Sequence, residues 1–332
     1  MQSHFARRIE RRALLTAIVL LLLLMVVLTA STCFGPAGFL SPTELLKGEK
    51  RTILEVRVQR TIGGLLAGTI LGLSGLLLQA LLRNPLVDPY ILGVSSGGLL
   101  GGFVAVLLNL PLGFASITIC GLAGALAALT ITYNVGRAAG FSEASVALSG
   151  VAVSIMFSSV TALLLLTHGE KLGWGVAWFF GSLAIATKSS IAIMAAGLIP
   201  LLALFYVRIG WLRSYVLNEM HARVVGVDVD RLRREVLLIT SWGVATVSAT
   251  VGPIGFVGLI VPHIARLLVG GDIGLAGLLV LVLAPLVITA GDLASRLVFA
   301  PMELPVGILT SMMGAPFFLY LLVRSMRGGS TA

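Results

Sequence analysis

Charged residues punctuate this chain, and the stretches between them are long and apolar. A membrane-spanning helix needs about twenty mostly apolar residues in a row. Ten windows meet or approach that length: 13–34, 61–82, 90–109, 112–136, 144–167, 189–207, 236–250, 254–269, 273–291 and 304–323. Two of their boundaries fall inside long apolar runs. Between Asp88 and Arg137 the run is too long for one helix, and Asn109-Leu110-Pro111-Leu112-Gly113 supplies the turn. Between Glu235 and Arg266, Val251-Gly252-Pro253-Ile254-Gly255 divides the run into two short pieces. Short, Gly/Pro-interrupted spans are found where transporters build their pathways, and also as ordinary kinked helices; the pattern admits both. Leu172–Thr187, with Trp174, Trp178, Phe179 and Phe180, is short and aromatic and reads as an interfacial or re-entrant helix.

Composition excludes the soluble alternatives. The 332 residues are 58% hydrophobic and 11% charged, with a mean hydropathy of +1.05, whereas soluble domains carry about 25% charge. The apolar runs are continuous, unlike the short alternating segments of a transmembrane barrel. The fold class is therefore an all-α polytopic membrane protein of about ten transmembrane helices. The net charge of +9 and pI near 10.3 follow from Lys and Arg concentrated on cytoplasmic loops, and do not call for nucleic acid. Cys33 and Cys120 sit in apolar surroundings without CxxC spacing and read as small core residues.

With the N-terminus inside, most Lys and Arg fall on cytoplasmic loops, and the even span count places the C-terminus inside as well, beside Arg324 and Arg327. Residues 1–12 then form a cytoplasmic tail. Arg7–Arg12 resembles the start of a signal peptide, but the apolar run that follows is too long and no A-x-A site closes it. Two loops depart from background. The external stretch Ser41–Arg60 holds Glu44, Lys47, Glu49, Lys50, Arg51, Glu55, Arg57 and Arg60. The cytoplasmic stretch Arg208–Glu235 mixes both signs and spaces Leu217, Met220, Val224 and Val225 as a docking helix pair would.

The short motifs mostly have plain meanings. Gly64-Gly68-Gly72 and Gly93-Gly97-Gly101 give small residues at four-residue spacing, which lets helices approach closely in lipid. Gly93-Val94-Ser95-Ser96-Gly97 matches G-x-S-x-G, but the nucleophile elbow needs a strand–turn–helix context and here a membrane span begins. His168 and His263 have no second ligand at metal spacing. Asp88, Glu143, Asp272, Asp292 and Glu303 fall at span edges, leaving no carboxylate at a span centre for an ion-coupled relay. Asp292 and Arg296, four apart, have the spacing to pair on one helix face. A phosphate loop is absent, since none of Lys47, Lys50, Lys171 and Lys188 follows a glycine. Energy for active transport must come from a separate subunit.

Several segments together resemble the FecCD-type permeases, the membrane subunits of ATP-binding-cassette (ABC) importers for iron–siderophore complexes, haem and vitamin B12. They are Arg60-Thr61 through Leu78-Gln79, Arg83-Asn84-Pro85-Leu86-Val87-Asp88-Pro89, Ile91 through Gly97, Leu217-Asn218-Glu219 with Ala222-Arg223 and Gly226-Val227, Gly252 through Leu259 with Val261-Pro262-His263, and Glu303-Leu304-Pro305-Val306-Gly307 with Gly314-Ala315-Pro316. The resemblance runs from about residue 41 to 323. It implies a single permease domain over 1–332, a non-enzymatic subunit of the bacterial inner membrane, and a homodimer with a pathway at its axis. It further implies two ATP-binding subunits on the cytoplasmic side, which carry ATP and magnesium, and a substrate-binding protein outside; no cofactor or metal is expected on this chain.

Residue by residue, the resemblance implies two short coupling helices over about Ser214–Arg231 (residues 214–231), with Leu217, Glu219, Ala222, Arg223 and Gly226 at the matching positions. It implies binding-protein docking at Arg57, Arg60 and Arg296, whose planar forks suit carboxylates. Asn84, Leu86, Ser142, Glu143 and Ala144 correspond to the cytoplasmic gate, although Glu143 replaces a small hydroxyl residue common there. Ser154–Thr167, Trp174–Ala186 and the tenth span correspond to the pathway. The expected cargo is iron(III)–siderophore, then haem, then cobalamin, then an oxyanion; the rivals are an ion-coupled carrier and an intramembrane hydrolase using Ser95 or Ser96.

Overall fold

The computed structural model describes residues 2–328 apart from 37, 42, 43, 45–47, 49, 112, 172–174, 299 and 301, and side chains from residue 14 to 320. The described residues form twelve α-helices: α1 Gln2–Cys33, α2 Lys50–Leu81, α3 Val94–Leu107, α4 Phe114–Ala138, α5 Glu143–His168, α6 Val176–Phe179, α7 Lys188–Leu217, α8 Glu219–Val224, α9 Val229–Val251, α10 Val257–Val269, α11 Ile273–Leu297 and α12 Val306–Gly328. Each of the ten predicted windows holds one of these helices. Six contain segments long and apolar enough to cross a membrane unaided, Leu14–Cys33, Lys50–Leu81, Phe114–Ala138, Glu143–Lys171, Lys188–Leu217 and Ile273–Leu297; α3, α10 and the first part of α12 are shorter apolar helices. A two-residue hairpin, β1 Phe34–Gly35 against β2 Gly38–Phe39, follows α1.

Several helices outrun their predicted windows, among them α9, which begins at Val229 where residue 236 was expected. α2 begins at Lys50 where residue 61 was expected, α7 continues to Leu217 where 207 was expected, and α11 reaches Leu297 where 291 was expected. Hydropathy marks where lipid contact ends. Helical hydrogen bonding continues past that point wherever Gly and Pro do not interrupt it. The expected tail at 1–12 is likewise helical in its backbone from Gln2; its side chains, and those of Arg324 and Arg327, lie outside the described residues. Trp174 lies outside them too. The remainder of the aromatic segment divides into α6 and a 3₁₀ turn, Leu183–Ile185, with Trp178 buried.

α2 is the central helix, buried on most of its surface. It packs on α11 through Gly68 and Gly72: a Cβ at Gly68 would lie 2.7 Å from the Pro285 backbone, and one at Gly72 would lie 2.5 Å from Ala284 Cβ. α3 and α4 meet along Gly97 and Gly101, where a Cβ would reach within 2.4 Å of the Gly124 carbonyl and 2.1 Å of the Cys120 carbonyl. Both glycine series are packing seams, as read from their spacing. The break between α9 and α10 is an unwound stretch, residues 252–256, ending at Phe256 with φ 67°. Here three chain segments cross: Ser182 N donates to the Val251 carbonyl (2.8 Å), Gly307 N to the Gly181 carbonyl (2.9 Å), and a Cβ on Gly252 would lie 1.9 Å from the Trp178 carbonyl.

Candidate functional site

The chemistry of the chain gathers at the two ends of the bundle. At one end, α2 presents Arg57 and Arg60 one turn apart, and α11 presents Asp292 and Arg296 one turn apart. Arg60 Nε donates to Asp292 Oδ1 (2.8 Å) and Oδ2 (3.0 Å), and its Nη1 donates to Glu303 Oε2 (2.5 Å). Arg296 pairs with Asp292 at 3.2 Å, so the i,i+4 pair read from the sequence forms. Its Nη2 donates to Ser31 Oγ (2.7 Å) and its Nη1 to the Ser31 and Phe34 carbonyls (3.2 Å each). Arg57 donates to the carbonyls of Thr32 (3.1 Å), Cys33 (2.6 Å) and Gly38 (3.2 Å). Ser31, Thr32 and Cys33 close α1, so their carbonyls lack helical partners. Two arginines therefore cap α1 while the third joins α2 to α11.

The three arginines are 5%, 5% and 1% exposed, and Asp292 is 2% exposed. Arg60 and Arg296 share Asp292, Arg60 also holds Glu303, and Arg57 is held by backbone carbonyls alone. Asp292 is thus not the span-edge residue expected from its window; it lies within α11, buried and ion-paired. The network also shows what local reading missed. Asp292 and Glu303 stand more than two hundred residues from Arg60 in sequence, and no spacing rule links them. The Glu303 side chain, 33% exposed, is the network member most open to solvent.

The opposite end holds the other charged network. Arg208 grips Glu235 with two donors (2.7 and 2.9 Å) and stacks on Trp211 at 4.1 Å. Arg231 also reaches Glu235 (2.8 Å), and Arg233 and Arg223 reach Glu219 (2.8 and 3.1 Å). The Arg208 guanidinium, the foremost cause, holds the Glu235 carboxyl below its ordinary range. Two coupling helices were expected over residues 214–231. The structure has one six-residue helix, α8, set between the prolonged ends of α7 and α9. Asn218 caps it, its Oδ1 accepting from Met220 N at 2.8 Å and His221 N at 3.3 Å. Gly226, with φ 85°, makes the turn into α9. Ala222, within α8, is fully buried, whereas Leu217, Met220 and Val224 are 78%, 70% and 77% exposed. Charged side chains frame an unpartnered apolar surface.

The expected gate residues lie at this same end. Asn84 Oδ1 accepts from Leu86 N (2.9 Å) and shapes the turn after α2. Ser142 caps α5, accepting from Ser145 N at 3.1 Å, with Glu143 and Ala144 exposed beside it. Ser142 and Glu143 share a small crevice with Leu81, Leu82, Tyr215 and Arg233; Asn84 and Leu86 do not line it. Gln79, given no role from sequence, is buried and donates to the carbonyls of Val87 (3.0 Å), Gly258 (3.2 Å) and Leu259 (3.2 Å), and it accepts from Arg266. It ties α2 to the start of α10. In the G-x-S-x-G stretch, Ser96 Oγ donates to the Gly93 carbonyl at 2.9 Å.

A bundle with an unwound helix break, glycine seams and separate charged networks at its ends has the architecture of a polytopic membrane protein. Residues 18–324 match the profile of the FecCD transport family. The vitamin B12 import system permease of Salmonella typhi is 34% identical over 335 residues, 97% of this chain and 99% of that one. The iron(III) dicitrate transport system permease of Escherichia coli (strain K12) is 34% identical over 283 residues, covering 82% of this chain and 85% of that one. A solved structure described as a metal-chelate type ABC transporter in an inward-facing conformation superposes with a TM-score of 0.81 at 29% identity, covering 93% of this chain and 98% of that one. The chain belongs to the FecCD transport family and is a membrane permease of the ABC class.

Proposed function

We propose that this permease moves an iron(III)–siderophore complex inward through a homodimer of this chain. Two ATP-binding subunits drive it from the cytoplasmic side, and a substrate-binding protein delivers the cargo outside. The Arg208–Glu235 end faces the cytoplasm, together with both termini, and the Arg60 end faces outward. The observation that carries this reading is the exposed apolar surface of Leu217, Met220 and Val224, held on a charged frame at one end. Such a patch suits a partner's groove. Leu217, Glu219, Ala222, Arg223 and Gly226 then couple the partner's ATP cycle to α7 and α9: Leu217 by contact, Glu219 and Arg223 by bracing, Ala222 and Gly226 by fixing the turn. Coupling biases a two-state equilibrium only as far as the two states differ in contact energy.

For docking, the support is charge balance. Arg57, Arg60 and Arg296 are buried within the chain; Arg60 and Arg296 are paired with Asp292 and Glu303, while Arg57 has only carbonyl partners and no carboxylate. A carboxylate on the binding protein exchanges with Glu303, the most exposed member, on the Arg60 guanidinium. Asn84, Leu86, Ser142, Glu143 and Ala144 form the cytoplasmic gate at the turns after α2 and α4. The second reading is haem or cobalamin carried by the same mechanism; the vitamin B12 relative, matched along nearly its whole length, favours cobalamin of the two.

The test is reconstitution. The chain is purified with its co-purifying ATPase, placed in lipid, and challenged with binding proteins loaded with ferric siderophore, haem or cobalamin. Stimulation of ATP hydrolysis by the siderophore-loaded protein alone supports the primary reading. Stimulation by the haem- or cobalamin-loaded one transfers the assignment, and uptake that follows an ion gradient without an ATPase overturns it.

A further inference from the structure

Between the ends of α2, α7, α10 and α11, on the Arg208 side of the bundle, lies a cavity of about 300 Å³. Its walls include Leu76, Ala80, Val216 and Ile273, and its polar lining includes Gln79, Arg83 and Arg266. The two arginines are unlike most of their neighbours. Arg208, Arg213, Arg223, Arg231 and Arg233 are each paired with a carboxylate. Arg266 is held by the neutral carbonyl oxygen of Gln79, whose amide nitrogen is committed to the Val87, Gly258 and Leu259 carbonyls. Arg83 donates to the Tyr215 carbonyl (3.0 Å) and lies over the Tyr215 ring at 4.7 Å. Asp272, which precedes the lining residue Ile273, is taken by Arg213 at 2.9 Å. Among the described residues neither Arg83 nor Arg266 is paired with a carboxylate.

Two guanidiniums held in place by neutral groups, opening into a cavity with apolar walls, suit an anion that carries a hydrocarbon portion. We propose that this cavity binds a phosphate-bearing ligand, with the phosphate gripped by Arg83 and Arg266 and the apolar walls receiving what is attached to it. Guanidinium forks bind phosphate oxygens in pairs, and basic pockets between membrane helices near the cytoplasmic surface take anionic headgroups. The shared chemistry is a phosphate oxyanion, supplied either by a phospholipid headgroup or by free phosphate. The site touches α2, α7, α10 and α11 together, so occupancy stabilises their junction through Gln79. It is independent of which cargo crosses the membrane.

The experiment uses the purified full chain in neutral detergent. Phosphatidylglycerol or phosphatidylcholine is added and retained lipid is read by native mass spectrometry; inorganic phosphate is tested separately by thermal shift. Wild type is compared with Arg83→Gln, Arg266→Gln, Arg83→Lys, and Arg137→Gln as an exposed arginine away from the cavity. Preferential retention of phosphatidylglycerol, weakened about tenfold or more by Arg83→Gln, partly kept by Arg83→Lys and untouched by Arg137→Gln, supports a lipid headgroup. A phosphate-dependent shift lost in Arg83→Gln, with no lipid preference, supports free phosphate. Equal loss in Arg83→Gln and Arg137→Gln, or no dependence on Arg83 in either assay, overturns the site. Arg83 lies at the exposed turn after α2, so its variants give a readable result even where Arg266→Gln fails to fold.

Discussion

Arg60 and Asp292 lie 232 positions apart and meet in a doubly hydrogen-bonded ion pair of 2.8 and 3.0 Å, both almost wholly shielded from solvent. Arg296 reaches the same carboxylate at 3.2 Å. Removing one member of a buried pair leaves an uncompensated charge, which costs about 3–5 kcal/mol. Asp292→Ala leaves Arg296 with no carboxylate and Arg60 with Glu303 alone, and is expected to lower the melting temperature in detergent markedly. Arg296→Met should cost less, because the Arg60–Asp292 pair survives it. Equal melting temperatures for Asp292→Ala and wild type would remove the network from the account of stability.

Glu303 holds Arg60 from the exposed side. Glu303→Gln leaves the Arg60–Asp292 pair in place while freeing one guanidinium edge. The expected outcome is nearly unchanged stability with several-fold tighter docking of the substrate-binding protein, measured at low and high salt. Substituting Arg60 with Glu should abolish the gain. Weaker docking in Glu303→Gln would place Glu303 in the interface itself and contradict the exchange.

The Arg208–Glu235 clamp is acid-sensitive, with a definite sign. Glu235 is held below its ordinary value of 4.5, chiefly by the Arg208 hydrogen bonds. A carboxylate with a depressed folded-state value stabilises fully above the unfolded value and loses that contribution as pH falls below it. Amide exchange in α8 and the adjoining ends of α7 and α9 should therefore be constant from pH 7 down to about 5, after correction for intrinsic rates, and should accelerate below about 4.5. Arg208→Leu should remove most of that acid-dependent step, leaving the Arg231 contribution.

The glycine seam between α3 and α4 has no room for added volume. A Cβ at Gly97 would stand 2.4 Å from the Gly124 carbonyl oxygen. Gly97→Ala should separate the two helices, lowering stability by about 1–3 kcal/mol, whereas Ser95→Ala and Ser96→Ala should leave uptake intact. Loss of uptake in either serine variant without loss of fold would revive hydrolytic chemistry at that motif.

Much of this architecture is visible in one dimension because lipid imposes it. Each of the ten apolar windows contains a single helix, and the Gly252–Pro253 break sits where the residues placed it. The ends were less visible. Lys50–Gln59, residues 208–217 and Asp292–Leu297 carry charge yet remain helical, since hydropathy reports solvation and not backbone hydrogen bonding. The spacing of Leu217, Met220 and Val224 foretold an outward apolar face, and that face is exposed. Arg57, Arg60 and Arg296 were visible as a set; their internal partners were not. Asp292 was assigned to Arg296 by spacing, while its closer contact with Arg60 depends on the packing of α2 against α11, which no local pattern encodes. The crossing of residues 181, 252 and 307 was hidden for the same reason.

The measurement that tests the account most directly is paired ATP hydrolysis and cargo uptake in proteoliposomes, comparing wild type with the double variant Met220→Asp, Val224→Asp. Both side chains are exposed, so the fold should survive. The account predicts a correctly folded permease that no longer retains the ATPase subunits, or retains them with hydrolysis uncoupled from uptake. Undiminished ATP-driven uptake by the double variant would contradict it, and would move the coupling surface away from α8.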